Sequence, residues 1–168
     1  MALAQYLKEH AYQVATCTID TSDYVFASAY SRALGTGEKN MSDKIREAYL
    51  EYSATEIDFY AALNRQVLGY EPPQVMLLHD SLLNADSADE LLNPFRTRGY
   101  SFVSLAQAQS DPAYATPDTY VTKYEPMWGY RWAVERNIGR IGLRETEPLP
   151  WIVEYAAGNP VEEPSPKH

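Results

Sequence analysis

Residues 72–80 constrain the fold of this chain more than any other part of its sequence. Two prolines, Pro72 and Pro73, prevent a helix from running into this stretch, and an apolar run over residues 75–78 follows them. His79 and Asp80 stand where that run stops. The pattern predicts a buried strand with a polar group at its carboxyl end, where ligands bind in open parallel sheets and in α/β barrels. His79 is therefore the first candidate for chemistry.

The remaining strand and helix patterns alternate along the chain. A run rich in β-branched residues, 14–19, predicts a strand that ends at Asp20, and residues 100–105 predict another. Apolar residues at helical spacing predict four helices, at residues 2–12, 25–34, 42–68 and 87–98.

Residues typical of helix ends define the predicted bounds of two of these helices. Ser42 is the predicted N-cap of the long helix and Gly69 its C-terminal residue, with a bend near residues 55–56. Ser87 with Glu90 predicts a capping box for the following helix.

Helices that alternate with strands are typical of parallel strands joined by right-handed crossovers. We therefore expect an α/β fold, and since three strands leave sheet edges exposed, a partial (β/α) barrel that belongs to a larger architecture. Residues 1–110 form the predicted α/β domain. Residues 111–160 form an aromatic, proline-rich extension packed on it, and residues 161–168 a disordered tail.

Composition excludes several classes of protein. A net charge of −9 without clustered Lys and Arg argues against nucleic-acid binding. Cys17 is the only cysteine, so the chain forms neither an intrachain disulfide nor a thiolate metal cage, and we expect Cys17 to be buried in its strand. No signal peptide or membrane-spanning stretch is recognisable, which leaves the compartment undetermined.

Parallel strands would bring Asp20 and His79 to the same sheet edge. A carboxylate bound to one imidazole nitrogen fixes the tautomer and raises the pKa of the ring, which suits it to proton transfer. The competing interpretation is a structural histidine at a strand end, and the residues alone leave both open.

The same residues carry a resemblance to a known family. Asp20-Thr21-Ser22-Asp23-Tyr24 resembles the Asp-x-x-Asp-Trp motif of the polysaccharide deacetylases, the NodB homology domain of carbohydrate esterase family 4. The run that ends in Leu77-Leu78-His79 resembles the Leu-x-His motif that follows it in that family, which consists of secreted or periplasmic enzymes.

The resemblance implies a distorted (β/α) barrel that removes acetyl groups from N-acetylglucosamine polymers or acetylated xylan, with a divalent metal, usually zinc. It implies that His79 is the general acid, that Asp20 tunes its pKa, and that Leu77 lines the acetyl pocket. Tyr24 replaces the tryptophan as an aromatic wall. Asp23 is a further substrate-side candidate, although a loop-capping role is favoured for it.

Three motifs of the family are missing. The sequence lacks Thr-Phe-Asp-Asp-Gly, His-x-x-x-His and the arginine motif, and its other histidines, His10 and His168, do not have metal-ligand spacing. The chain thus resembles the C-terminal half of a deacetylase, with no cofactor site of its own and no activity without a complementary half. It would act on acetylated polysaccharide only in such an assembly.

Two interpretations of another class stay open. In one, the aromatics Tyr24, Tyr30, Trp128 and Trp132 bind sugar rings or a protein partner without catalysis. In the other, the exposed sheet edge makes the chain a homo-oligomer.

Overall fold

The computed structural model describes residues 2–124, 126–139 and 141–161. Helices account for all of its regular secondary structure apart from one β-bridge. The α-helices, in chain order, are α1 (Ala2–Glu9), α2 (Asp23–Thr36), α3 (Lys39–Leu68), α4 (Leu82–Thr97), α5 (Leu105–Ala108), α6 (Trp128–Glu135) and α7 (Pro150–Ala156), with a 3₁₀ turn at Pro112–Ala115.

Helix α3 is the axis of the fold. It runs for 30 residues as one continuous α-helix, and the predicted bend near residues 55–56 stays a prediction. Its first half packs with α2, α4 and α7 around a core that includes Phe26, Tyr49 and Ile152. Its second half packs with α6 around a core that includes Ile57 and Trp132. One long amphipathic helix therefore organises both clusters.

The helix ends correct two of the sequence predictions. α3 begins at Lys39, and the Ser42 hydroxyl donates to the Lys39 carbonyl at 2.8 Å instead of capping the helix. α4 begins after Ser81, whose hydroxyl accepts from the Asn84 N–H, so the capping box at Ser87 is wrong. Gly69 ends α3 at φ +83°, as predicted, because a left-handed residue there costs glycine little.

The predicted α/β fold, a parallel-stranded partial (β/α) barrel, is wrong. The described residues contain seven α-helices and no sheet; their only β pairing is one parallel bridge between Ile19 and Met76. Three backbone hydrogen bonds flank this bridge. The N–H groups of Thr18 and Ile19 donate to the Val75 carbonyl, and the Leu77 N–H donates to the Ile19 carbonyl. Since the described residues form no sheet, a sheet edge among them cannot be the interface, and the formation of a homo-oligomer stays a prediction.

The predicted strands do not extend because other groups take their backbone partners. The Thr18 hydroxyl accepts from the Val75 N–H at 2.8 Å, and the Cys17 carbonyl accepts from the N–H of Trp128, the first residue of α6. Pro72 and Pro73 have no N–H to offer a ladder. At the third predicted strand, Ser104 caps α5 and so ends the extended stretch.

Residues 111–160 contribute to both cores. Trp132 and Ala133 lie in the second cluster, and Ile152 and Tyr155 in the first. Cys17 is half-buried in a non-helical segment. Among the described residues no helix is both long and apolar enough to cross a bilayer. Of the predicted tail, residues 162–168 lie outside the described residues.

Candidate functional site

A tight turn before α2 shapes the candidate site. The Asp20 carboxylate accepts a hydrogen bond from the Ser22 N–H at 2.8 Å, which closes the turn on itself. Ser22 adopts a left-handed conformation at φ +47°, and α2 begins with Asp23 directly after it. This geometry turns the Asp23 side chain inward, where it is completely buried.

His79 meets Asp23 at this point. The bridge between Ile19 and Met76 is parallel, so it brings the residues that follow Ile19 close to those that follow Met76. There the His79 N–H donates to one Asp23 oxygen at 2.7 Å, and His79 Nδ1 lies 2.7 Å from the other. The carboxylate is fully buried whereas the imidazole is 51% exposed. Since Nδ1 is bound to Asp23, Nε2 is the nitrogen left for an external partner.

Two further side chains hold Asp23 in place. Asn84, in the first turn of α4, donates from Nδ2 to Asp23 at 2.5 Å and to the His79 carbonyl at 2.8 Å. The Tyr49 hydroxyl of α3 donates to Oδ1 of Asn84 at 2.7 Å, which fixes the orientation of the amide. The buried carboxylate thus accepts from the backbone, an imidazole and an amide, which compensates for its loss of water.

The electrostatics of the pair favour a charged imidazole. The hydrogen bond from His79 to Asp23, together with the negative charge of Asp23, raises the pKa of His79 above its ordinary value of 6.5. Partial burial opposes this rise, and the more distant Asp20 adds to it. A larger fraction of His79 is therefore protonated at neutral pH than of a free histidine, which suits a proton donor.

Asp20 does not hold the position that the sequence suggested for it. Its carboxylate closes its own turn and lines a neighbouring cavity, while Asp23 makes the contact with His79. The loop-capping role favoured for Asp23 is compatible with its bond from the His79 backbone N–H, and its role toward a substrate stays a prediction. Asp20 and Asp23 lie three residues apart. The backbone conformation of Ser22, between them, determines which of the two contacts His79.

The other predicted residues lie as follows. Tyr24 is 60% exposed, and its ring meets the His79 ring edge-on at a centroid distance of 6.0 Å, so it forms a wall beside the imidazole. Leu77 is half-buried and packs against the second core cluster. Its role in an acetyl pocket stays a prediction.

Sequence reasoning missed Asn84 and Tyr49. The capping-box pattern at Ser87 placed the start of α4 six residues too late. Asn84 was therefore not recognised as a residue of the first turn of α4. Ser81, three residues before Asn84, was the available signal.

Most of the aromatics suggested for ligand stacking are not available to a ligand. Tyr30 and Trp132 are buried in the two cores. The guanidinium of Arg131 lies over the Trp128 ring, 4.7 Å from its centroid. Tyr24 is the one of the four that stands open to solvent.

No metal-ligand set is found in the part of the chain that the structure describes. Within it, no group of three or more His, Cys, Asp or Glu side chains has an arrangement that could hold a metal ion. The described residues therefore do not fit the zinc that the family resemblance implies.

Comparisons of the chain with protein-family models, curated proteins and solved structures give no match. The resemblance to polysaccharide deacetylases therefore depends on two short motifs, Asp20–Tyr24 and Leu77–His79.

Proposed function

We propose that this chain carries the proton-donating half of a hydrolase site that acts on N-acetyl groups of amino-sugar polymers. The observation that carries the proposal is the pair of 2.7 Å contacts between the buried Asp23 carboxylate and the half-exposed His79. The family resemblance supports the choice of His79, although it implied Asp20 as the partner, whereas the aspartate that holds His79 is Asp23, the second of the Asp-x-x-Asp-Trp pattern.

The proposed chemistry is general acid catalysis. With Nδ1 held by Asp23, a protonated His79 presents its second N–H at Nε2 to the nitrogen of the departing amine. Transfer of that proton lets the carbon–nitrogen bond break with a neutral amine as leaving group. Asp23 stabilises the imidazolium before the transfer and fixes the tautomer after it. Tyr24 walls one side of the imidazole.

A proton donor alone does not hydrolyse an amide. The step also requires a base and an activated water, for which the described residues offer no metal site. We expect the chain by itself to release no acetate. The partner in this proposal is a second polypeptide that carries the Thr-Phe-Asp-Asp-Gly and His-x-x-x-His motifs.

The first experiment tests the pair directly. We expect an NMR titration of His79 to give a pKa above 6.5 in the wild-type chain and a clear decrease in Asp23→Asn, because the substitution removes the charge that stabilises the imidazolium. Asp80→Asn is the matched control, since Asp80 is exposed and adjacent to His79 in sequence. A pKa that is the same in wild type and Asp23→Asn would contradict the assignment.

The second experiment tests catalysis. The chain is mixed with the N-terminal half of a polysaccharide deacetylase, and acetate release from chitooligosaccharides is measured. We expect activity in the mixture that decreases by about 10²–10⁴-fold in His79→Ala, the usual contribution of a general acid. Activity that survives this substitution, or its absence from the wild-type mixture, would refute the proposed role.

A further inference from the structure

The two oxygens of the Asp23 carboxylate have different partners. Oδ1 faces His79 Nδ1 at 2.7 Å. Oδ2 accepts from two neutral donors, the His79 backbone N–H at 2.7 Å and Asn84 Nδ2 at 2.5 Å. The Asp23 side chain is completely buried, so bulk water does not screen its charge. The negative charge that holds the imidazole is thus shared between His79 and Asn84.

Asn84 is held in the one amide orientation that allows this sharing. Nδ2 also donates to the His79 carbonyl at 2.8 Å, and a carboxylate and a carbonyl are both groups that can only accept. The Tyr49 hydroxyl donates to Oδ1 from the other side at 2.7 Å. A reversed amide would place its oxygen against two acceptors. Nδ2 therefore stays on Asp23.

The Tyr49 hydroxyl strengthens the contact between Asn84 and Asp23. Tyr49 is completely buried on α3, and this burial raises its pKa to about 12, against the effect of the Thr21 and Ser53 hydroxyls beside it. It therefore stays a neutral donor near neutral pH. Its donation to Oδ1 polarises the Asn84 amide, which makes the N–H groups of Nδ2 better donors. Tyr49 thus acts on Asp23 through Asn84.

Among the described groups around His79, Asp23 is the main source of charge. The hydrogen bond and the charge of Asp23 have the largest effect on the pKa of His79; partial burial opposes their effect, and the more distant Asp20 adds to it. Tyr24 of α2 contributes an aromatic ring that meets the imidazole edge-on. From α4, the side chain that reaches His79 is the neutral amide of Asn84. The proton affinity of His79 therefore depends on how much of the Asp23 charge Asn84 takes up.

We propose that Asn84 is a positioning residue that takes up part of the Asp23 charge and so limits how tightly His79 holds its proton. A general acid must release its proton as well as carry it, and a carboxylate bound to the imidazole alone would oppose the release. This consequence for catalysis rests on the proposed function. The effect on His79 itself does not, because it can be measured in the chain alone.

The test is an NMR titration of His79 in the wild-type chain and in Asn84→Leu, which keeps a side chain of similar size without a donor. We expect the pKa of His79 to be about 0.3–1.0 higher in Asn84→Leu, the equivalent of one net hydrogen bond, because the Asp23 charge then acts more fully on the imidazole. Asn84→Ala should also raise it. Tyr49→Phe should raise it less, since the Asn84 amide stays in place.

Matched controls accompany these variants. Asn93→Leu replaces an exposed asparagine on the same helix as Asn84. Tyr60→Phe removes the hydroxyl of another buried tyrosine of α3, which donates to Glu145 at 2.7 Å instead of to Asn84. Both controls should leave the pKa of His79 at its wild-type value. Circular dichroism verifies that every variant is folded.

The direction of the change separates this role from a purely structural one. If Asn84 merely kept Asp23 in contact with His79, its loss would loosen that contact and lower the pKa of His79 toward its ordinary value of 6.5. An unchanged or lower pKa in Asn84→Leu would therefore overturn the proposal. An equal rise in Asn93→Leu would overturn it as well.

A second readout concerns hydrolysis. In the mixture with the N-terminal half of a deacetylase, acetate release should decline as the pH rises through the pKa of the general acid. We expect this decline to lie at higher pH in Asn84→Leu than in the wild type, with KM unchanged, and a decline at the same pH in both would contradict the proposal. A wild-type mixture that releases no acetate would refute the proposed function, while the titration of the chain alone would still decide the role of Asn84.

Discussion

Replacing Glu56 with glutamine should stabilise this protein at alkaline pH and leave it unchanged in acid. Glu56 is completely buried on α3, and glutamine has nearly the same shape without the charge. In acid, both side chains are neutral. Above neutral pH the wild type must bury a carboxylate beside Glu145, while the variant buries an amide.

The magnitude follows from the pKa of Glu56, which rises from an ordinary 4.5 to about 7 on folding. At about 1.4 kcal/mol per pKa unit, deprotonation lowers the free energy of unfolding by as much as about 3 kcal/mol. Because the pKa is raised in the folded state, the stability is complete below about pH 4.5. It is lost as the pH rises to about 7 and changes little above that.

The assay is urea unfolding followed by circular dichroism at about pH 4 and about pH 8. We expect Glu56→Gln to exceed the wild type by as much as about 3 kcal/mol at the higher pH and to match it within about 0.5 kcal/mol at the lower. Glu47→Gln serves as the control because Glu47 is exposed on the same helix. A Glu56→Gln variant that is less stable than the wild type at pH 8, or that differs from it equally at both pH values, would refute the reasoning.

Two further predictions concern helix ends and packing, and urea unfolding tests both. Ser81→Ala should cost about 1 kcal/mol through loss of the α4 cap, whereas Ser87→Ala should be neutral or stabilising, because the buried Ser87 hydroxyl has no hydrogen-bond partner among the described residues. Equal costs would contradict the assigned helix start. Gly129→Ala should cost about 1–3 kcal/mol, because its Cβ would lie 2.4 Å from Oδ1 of Asn64. Gly35→Ala, with open space around its Cβ, should be neutral or stabilising by up to about 1 kcal/mol, and an equal loss in both variants would contradict the packing argument.

The long helix α3 and its end were predictable from the sequence, whereas the starts of α3 and α4 and the fate of the predicted strands were not. Periodicity found α3 and its end at Gly69, because a long amphipathic stripe and a left-handed glycine are local properties. Strand pairing depends on which distant group takes each backbone N–H and carbonyl. The Thr18 hydroxyl took the Val75 N–H and the first N–H of α6 took the Cys17 carbonyl, and no local pattern indicates that competition.

The residues of the candidate site were likewise only partly predictable from the sequence. Residue types identified His79 and a nearby aspartate as a pair, since an apolar run followed by a histidine is visible in the sequence. The choice between Asp20 and Asp23 depended on a left-handed Ser22, for which serine has no strong preference. Glu56 lies on the apolar stripe of α3 by position, and its burial beside Glu145 and Thr146 emerges only when α3 meets the 145–146 segment.

The bridge between Ile19 and Met76 also bears on the order in which the molecule assembles. Helices α2, α3 and α4 meet their sequence neighbours, but the bridge and the contact between His79 and Asp23 close loops of 57 and 56 residues, respectively. Closing a long flexible loop is entropically costly, and docking of the intervening helices shortens the span that remains. We therefore expect the helices to form first and the two segments to join last. Amide hydrogens of Ile19 and Leu77 should then exchange with solvent through a partial opening that leaves α3 intact.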